Sequence, residues 1–361
     1  MSRRLEMTRM SRRNYISADE KTEAKVRQLI SRSFDSFHRD PTLKTPNPAV
    51  IRAGRHGGLP FDSITSDLFL GCLPATQICY GNCFAARSAF EAGFDFGKRV
   101  PNILDEDIFR EDLAALPINQ CFLRIGWNSD ASWDWDAALR MVELIAASNL
   151  HSVFVTKYFH PMSPTLLRSF ASHGAELRVS ISALDTPPQL QHRLDAIDAY
   201  RRAGGLAVPI VMSAPFRDEG LLTKQRAIVD HVLEHDFPAA ENSLRFSPGS
   251  PMLELLNPDE LGRVSSTHDL WGGRLFSDEL RVPTITSVPP EYHGLESSFF
   301  SRLSTEVLTE LSLEPVRTHS EVLNSDRDVD KPRQCGVSIP WPIGVGQTGP
   351  GLDDVDRQRH Q

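Results

Sequence analysis

From residue 122 to residue 247 the chain switches repeatedly between two hydrophobic periods. Short apolar runs at 122–126, 152–157, 177–182, 206–212 and 244–247 read as strands. The stretches between them carry apolar residues at helical spacing and predict helices over 134–148, 164–173, 189–203 and 221–234. In the first of these the stripe is Ala138, Met141, Val142 and Ile145. An earlier apolar run, Ile64, Leu68, Phe69 and Leu70, adds a strand upstream and makes six β units. Such alternation builds a parallel sheet with right-handed crossovers. It fits an open doubly wound sheet or an incomplete (β/α)6 barrel, and in either one chemistry collects at the C-terminal strand ends.

The flanks differ from this middle. Val26, Leu29, Ile30, Phe34 and Phe37 recur at helical spacing behind Ser17 and Glu20, a capping-box pair. Before them, residues 1–16 are Arg-rich and aperiodic, as expected of a solvated tail. After residue 250, short helices are expected at 253–256 and 258–264 and a longer one at 298–313. Prolines break up the rest, and 344–361 has the composition of a disordered tail. The expected organisation is therefore a tail and helix over 1–60, a partial TIM-like barrel over 61–250, and a loop-rich capping region over 251–361.

Charge and composition narrow the partners. The 39 basic residues stand against 47 acidic ones, a net charge of −8, which argues against holding nucleic acid by bulk electrostatics. No apolar run is long enough to cross a membrane, and no apolar segment follows the basic N-terminus to make a secretory signal. The five cysteines are clustered rather than spread, which suits metal ligation in a reducing cytoplasm better than a disulfide framework.

Three of those cysteines, Cys72, Cys79 and Cys83, form a C-x6-C-x3-C pattern on the loop leaving the first strand. Three thiolates on one loop can serve one centre. Soft sulfur ligands select iron–sulfur clusters, zinc or cuprous copper. Zinc would want a fourth Cys or His nearby, and His56 lies well upstream. The plain alternative is three buried apolar cysteines. At the second strand end, Gly126 lets backbone approach a ligand, while Asn128, Ser129 and Asp130 offer donors and acceptors or simple turn chemistry. Lys157 ends the third strand, where it can pair with a carboxylate or stand in solvent. Ser180, Ser182 and Asp185 follow on the fourth, with both serines expected on one face. Arg193 could reach the same mouth, though taken alone it reads as a surface ion pair.

This order of parts resembles the radical S-adenosylmethionine superfamily. The resemblance covers about residues 61–250. The runs TKYFHPMSPTLL at 156–167 and VSISALD at 179–185 are most similar to its spore-photoproduct-lyase-related branch. The cluster loop departs from the usual C-x3-C-x2-C spacing and has Asn82 where an aromatic normally precedes the last cysteine. That leaves Tyr80 and Phe84 as candidates to pack the adenine. The resemblance implies that Cys72, Cys79 and Cys83 hold a [4Fe–4S] cluster whose open iron chelates S-adenosylmethionine. Gly126 to Asp130 would contact its methionine amino group, and Ser180 and Ser182 would lie near its ribose and carboxylate. It further implies an external electron donor such as flavodoxin or ferredoxin. Reductive cleavage would give a 5′-deoxyadenosyl radical that takes hydrogen from a small or medium organic substrate. Cys335, in Gln334-Cys335-Gly336, would be a candidate thiol for returning a hydrogen atom. Only Cys121 and Cys335 remain beyond the loop, so one cluster and no auxiliary one is expected, with Cys121 in the core. Two other classes compete: a binding scaffold whose cysteine loop holds structural zinc, and a metal-independent barrel hydrolase, for which no nucleophile–base pair stands out.

Overall fold

The computed structural model describes residues 16–37, 42–53, 65–72, 79, 83–116, 122–126, 129–148, 150–263, 269–276 and 278–280. Its centre is a six-stranded sheet formed by β1 (Thr65–Ser66), β4 (Phe122–Ile125), β5 (His151–Thr156), β6 (Glu176–Ile181), β7 (Leu206–Ser213) and β8 (Ala240–Ser243), in that spatial order. Every neighbouring pair is parallel. Each new strand is added at the same edge, so right-handed crossovers put all the connecting helices on one face. A doubly wound sheet would reverse direction at a switch point. This order never reverses, and the sheet is a partial (β/α)6 barrel.

The crossover helices are α4 (Trp135–Ala147), α5 (Pro164–Ser172), α6 (Pro187–Arg202) and α7 (Glu219–Glu234). Their starts are set by sequence. The side chains of Asp134, Ser163 and Asp218 accept from the N–H groups of Ala137, Leu166 and Leu221. The Gln189 side chain accepts from the Thr186 N–H at 3.0 Å to open α6. Leu177, Val179 and Ile181 of β6 and Ala207 and Val211 of β7 enter the main core with Met141, Val142 and Ile145 of α4. By alternation, Arg178 and Ser180 of β6 and Val208 and Ile210 of β7 face the concave side. There Val208 and Ile210 form a separate small cluster with Ala240.

The structure corrects the expected strands at both sheet edges. The apolar residues Phe69 and Leu70 are not in the main sheet; as β2 (Phe69–Leu70) they pair antiparallel with β3 (Val100–Pro101). The sheet strand is the polar pair Thr65–Ser66, held in register with Arg124 and Ile125. At the other edge β8 is Ala240–Ser243 and not 244–247, where Phe246 instead bridges to Leu270 of β10 (Leu270–Trp271). Glu241 makes this polar strand possible, because its buried carboxylate accepts from the Ser213 hydroxyl and from the N–H groups of Leu275 and Phe276.

Elements outside the sheet also depart from the pattern. The helix α1 (Glu20–Phe37) is capped by Asp19, whose carboxylate accepts from Thr22 N–H at 3.0 Å, rather than by Ser17 and Glu20. It docks through a buried ion pair, Glu23 to Lys224 of α7, at 2.6 Å. Besides α2 (Phe84–Glu91) after the cysteines, a helix absent from the sequence reading, α3 (Glu106–Ala114), buries Phe109 and Leu113. Two 3-10 turns, Pro251–Leu255 and Pro258–Glu260, replace the expected short helices, and β9 (Gly262–Arg263) pairs with β10. The expected helix at 298–313 lies outside the described residues. Among the described residues no helix is long and apolar enough to cross a membrane.

Candidate functional site

The β2–β3 pairing fixes the first cysteine. Gly71 adopts φ +77°, and a Cβ there would stand 2.3 Å from the Lys98 carbonyl oxygen, so only glycine lets the chain turn this tightly. The turn leaves the Cys72 N–H donating to the Phe96 carbonyl at 2.9 Å and its side chain buried. Cys83 stands at the N-cap of α2. Cys72, Cys79 and Cys83 pack in one apolar cluster with Ala85, Ala86, Phe96, Trp133 and Phe159.

The three thiols differ in environment. Burial pushes the Cys72 thiol well up, opposed by the Trp133 indole N–H and the nearby Arg99 charge. Cys79 hydrogen-bonds to Cys83; that bond, together with burial, raises Cys79. The same bond lowers Cys83 against burial, with help from the Ala86 and Ala85 N–H groups at the start of α2. Among the described residues, no group of three or more His, Cys, Asp or Glu side chains already surrounds a point that would hold a metal ion. The donor chemistry nonetheless fits a thiolate-held centre: three sulfurs in one cluster, with N–H donors directed at two of them.

The β4 and β5 ends are clamped to each other. Gly126 takes φ +95°, with a would-be Cβ 2.3 Å from the Val155 carbonyl oxygen. Asp130 is buried, and its carboxylate accepts from the Thr156 hydroxyl (2.7 Å), the Lys157 N–H (2.6 Å) and the Ser132 N–H (2.9 Å). It therefore acts as a buttress joining two strand ends. The Ser129 hydroxyl donates to Asp67 at 3.1 Å, which links the β1 end to the same turn. Beyond Lys157, Tyr158 is forced to φ +53° and is held by a bond from its N–H to the Thr156 hydroxyl oxygen at 2.7 Å.

The next strand end corrects two expectations. Arg193 is no surface residue: it is buried, ion-paired with the buried Asp185, and donates from Nε to the Lys157 carbonyl at 2.8 Å. Ser182 lies just past β6, where its hydroxyl accepts from the Leu184 N–H at 3.2 Å. That hydroxyl is engaged in the turn, whereas Ser180 remains on the concave face. The sequence offered no signal for Trp133 and Arg99, which lie over the cysteine pocket. Nor did it reveal the two-pronged ion pair between Arg87 of α2 and the buried Asp269, which ties the cysteine helix to the segment beside β8. Tyr80, Asn128, Cys121, Cys335 and the Phe84 side chain lie outside the described residues.

Lys157 is half-buried, and burial lowers its ammonium from the ordinary 10.5 to about 8, against the pull of Asp185. Between those values the folded chain has lost a proton that the unfolded chain still holds, so stability rises with pH across that window. Below about pH 8 both states are protonated and this contribution is flat. In the metal-free protein, the wild type should therefore gain on Lys157→Met as pH increases from about 8 towards 10.5. Parallel urea-unfolding curves for the two proteins at several pH values would show a growing gap; a constant gap would contradict the shift.

No protein-family profile matches the chain, and no curated protein does. Among solved structures it is similar to a variant of spore photoproduct lyase with bound S-adenosylmethionine and dinucleoside spore photoproduct. The TM-score is 0.44 at 14% identity, covering 68% of this chain and 85% of that one. A second, spore photoproduct lyase complexed with the dinucleoside photoproduct, aligns with TM-score 0.41 at 15% identity over 67% of this chain and 76% of that one.

Proposed function

We propose that this chain is a radical S-adenosylmethionine enzyme acting on an organic substrate at the concave face of its partial barrel. The observation that carries the reading is the shared cluster of Cys72, Cys79 and Cys83, which follows β1 and β2 at the first edge of a sequentially ordered parallel half-barrel. Those three residues would hold a [4Fe–4S] cluster. When bound, the cluster and S-adenosylmethionine supply reductive cleavage of the sulfonium and hydrogen abstraction from substrate.

The protein's own part is positioning. Gly126 brings the β4 backbone against β5, Asp130 holds the two turns together, and Arg193 fixes the Lys157 carbonyl at the β5 end. A lysine there, with Ser180 on the concave face, suits the carboxylate of the cofactor's methionine. The apolar packing of Trp133 and Phe159 against the cysteines shields the buried Cys72 most fully. The net charge of −8 favours a substrate other than duplex nucleic acid.

Asp130→Ala should keep the cluster but bind S-adenosylmethionine at least about tenfold more weakly. The three bonds this carboxylate accepts hold the two turns in place, and a displaced turn that forfeits one hydrogen bond to the charged cofactor loses about 1.5–3 kcal/mol of binding. Equilibrium dialysis of reconstituted protein tests it, and wild-type affinity would remove this turn from the cofactor site. The reading as a whole is tested by anaerobic reconstitution: a brown protein with iron and sulfide supports it, and colourless protein with stoichiometric zinc replaces it with a zinc scaffold.

A further inference from the structure

The indole N–H of Trp133 donates to the Cys72 sulfur at 3.2 Å. This contact is built in from several directions. Trp133 ends the 3-10 turn Ala131–Trp133, in which the Ser132 N–H donates to the Asp130 carboxylate. Its ring stacks on Phe159 at 4.8 Å and 22°, and meets the edge of His160 at 5.0 Å. Phe159 is itself tied back to the turn, donating its N–H to the Ser132 hydroxyl at 2.9 Å. The Arg99 guanidinium lies over the indole at 4.5 Å and over Phe69 at 5.5 Å. The sulfur is equally fixed, through the Cys72 N–H bond to Phe96. Donor and acceptor are thus held by separate parts of the fold, 61 residues apart in sequence.

A tryptophan packed only to fill space has no need to aim its one polar atom at a cysteine sulfur. We propose that Trp133, backed by Arg99, sets the reduction potential of the metal centre bound by Cys72; this rests on the cluster reading above. An N–H···S bond withdraws charge from a ligating sulfur and stabilises the more negative, reduced state, and hydrogen bonds to sulfur and local charge are established determinants of cluster potential. Arg99 places positive charge on the same side. Both effects raise the potential and make the centre easier to reduce. Trp133 is a positioning residue in this scheme and need not touch substrate.

The test is a dye-mediated potential titration of the reconstituted protein, followed by electron paramagnetic resonance of the reduced cluster. Trp133→Phe keeps the stacked ring and loses the donor. It should hold wild-type iron and sulfide while its midpoint moves to lower potential. The expected change is roughly tenfold in the oxidised-to-reduced ratio at fixed ambient potential, about 59 mV for one electron. Arg99→Gln should move the midpoint the same way by less. Wild-type protein carrying 15N-indole tryptophan should show a 15N coupling to the reduced cluster in pulsed resonance, which decides the matter even if Trp133→Phe does not fold. An unchanged midpoint in Trp133→Phe with full iron content, or no 15N coupling in the wild type, overturns this inference and leaves the cluster reading standing. A wild-type chain that takes up no iron and sulfide overturns both.

Discussion

Replacing any one of Cys72, Cys79 or Cys83 with alanine is expected to abolish both cluster assembly and formation of 5′-deoxyadenosine. A cubane with three protein thiolates has no spare ligand, so losing one sulfur leaves a second iron unheld. The three positions allow the chemistry to be separated from folding. Cys72 is buried among small and aromatic residues, and alanine keeps most of that packing. Destabilisation at that site should stay within about 2 kcal/mol, the ordinary range for a modest core change. Cys79 and Cys83 are less buried; losing Cys79 removes its bond to Cys83, and losing Cys83 removes that bond and the Ala85 and Ala86 N–H contacts at the start of α2. Folded, colourless variants with less than about a hundredth of wild-type cofactor cleavage are the predicted outcome, read by iron and sulfide assay beside product chromatography. Full cleavage by Cys79→Ala would show that the loop does not hold the centre.

Arg193→Leu is expected to have the largest effect on stability. The guanidinium is buried against the equally buried Asp185, and its Nε holds the Lys157 carbonyl. Removing one partner strands a carboxylate away from water, which typically destabilises by about 3–5 kcal/mol. Asp185 keeps the Ser182 N–H at 2.9 Å and the nearby Lys157 ammonium, but it loses the guanidinium paired directly with it in the core. The double variant Asp185→Leu, Arg193→Leu should recover part of the loss, because the buried carboxylate that lost its guanidinium is then removed as well. Denaturant unfolding of the two variants decides it. A single variant within about 0.5 kcal/mol of wild type, the usual range for surface changes, would mean that the pair contributes nothing to the fold.

The parts legible in the sequence were those whose signal is local. The strands at 122–125, 151–156, 176–181 and 206–213 carry apolar runs, and their helices carry stripes, because each must face a shared core. The edge strands lacked that signal. Thr65–Ser66 and Ala240–Ser243 are polar and short, held by register with a neighbour and by Glu241, while the apolar residues beside them serve other pairings. The cysteine loop stood out through its spacing together with the order of β units, and Gly126 through its place at a strand end. Trp133, Arg99 and the burial of Arg193 were not, since each depends on partners brought together only by the fold: Trp133 meets Cys72 across 61 residues.

The most direct measurement is made on the wild-type chain, purified and reconstituted without oxygen and then given dithionite and S-adenosylmethionine. Iron and acid-labile sulfide should approach about four each per chain, and 5′-deoxyadenosine and methionine should appear in equal amounts only when the reductant is present. Colourless protein holding zinc, or a brown protein that leaves S-adenosylmethionine intact under reduction, would contradict the proposed function.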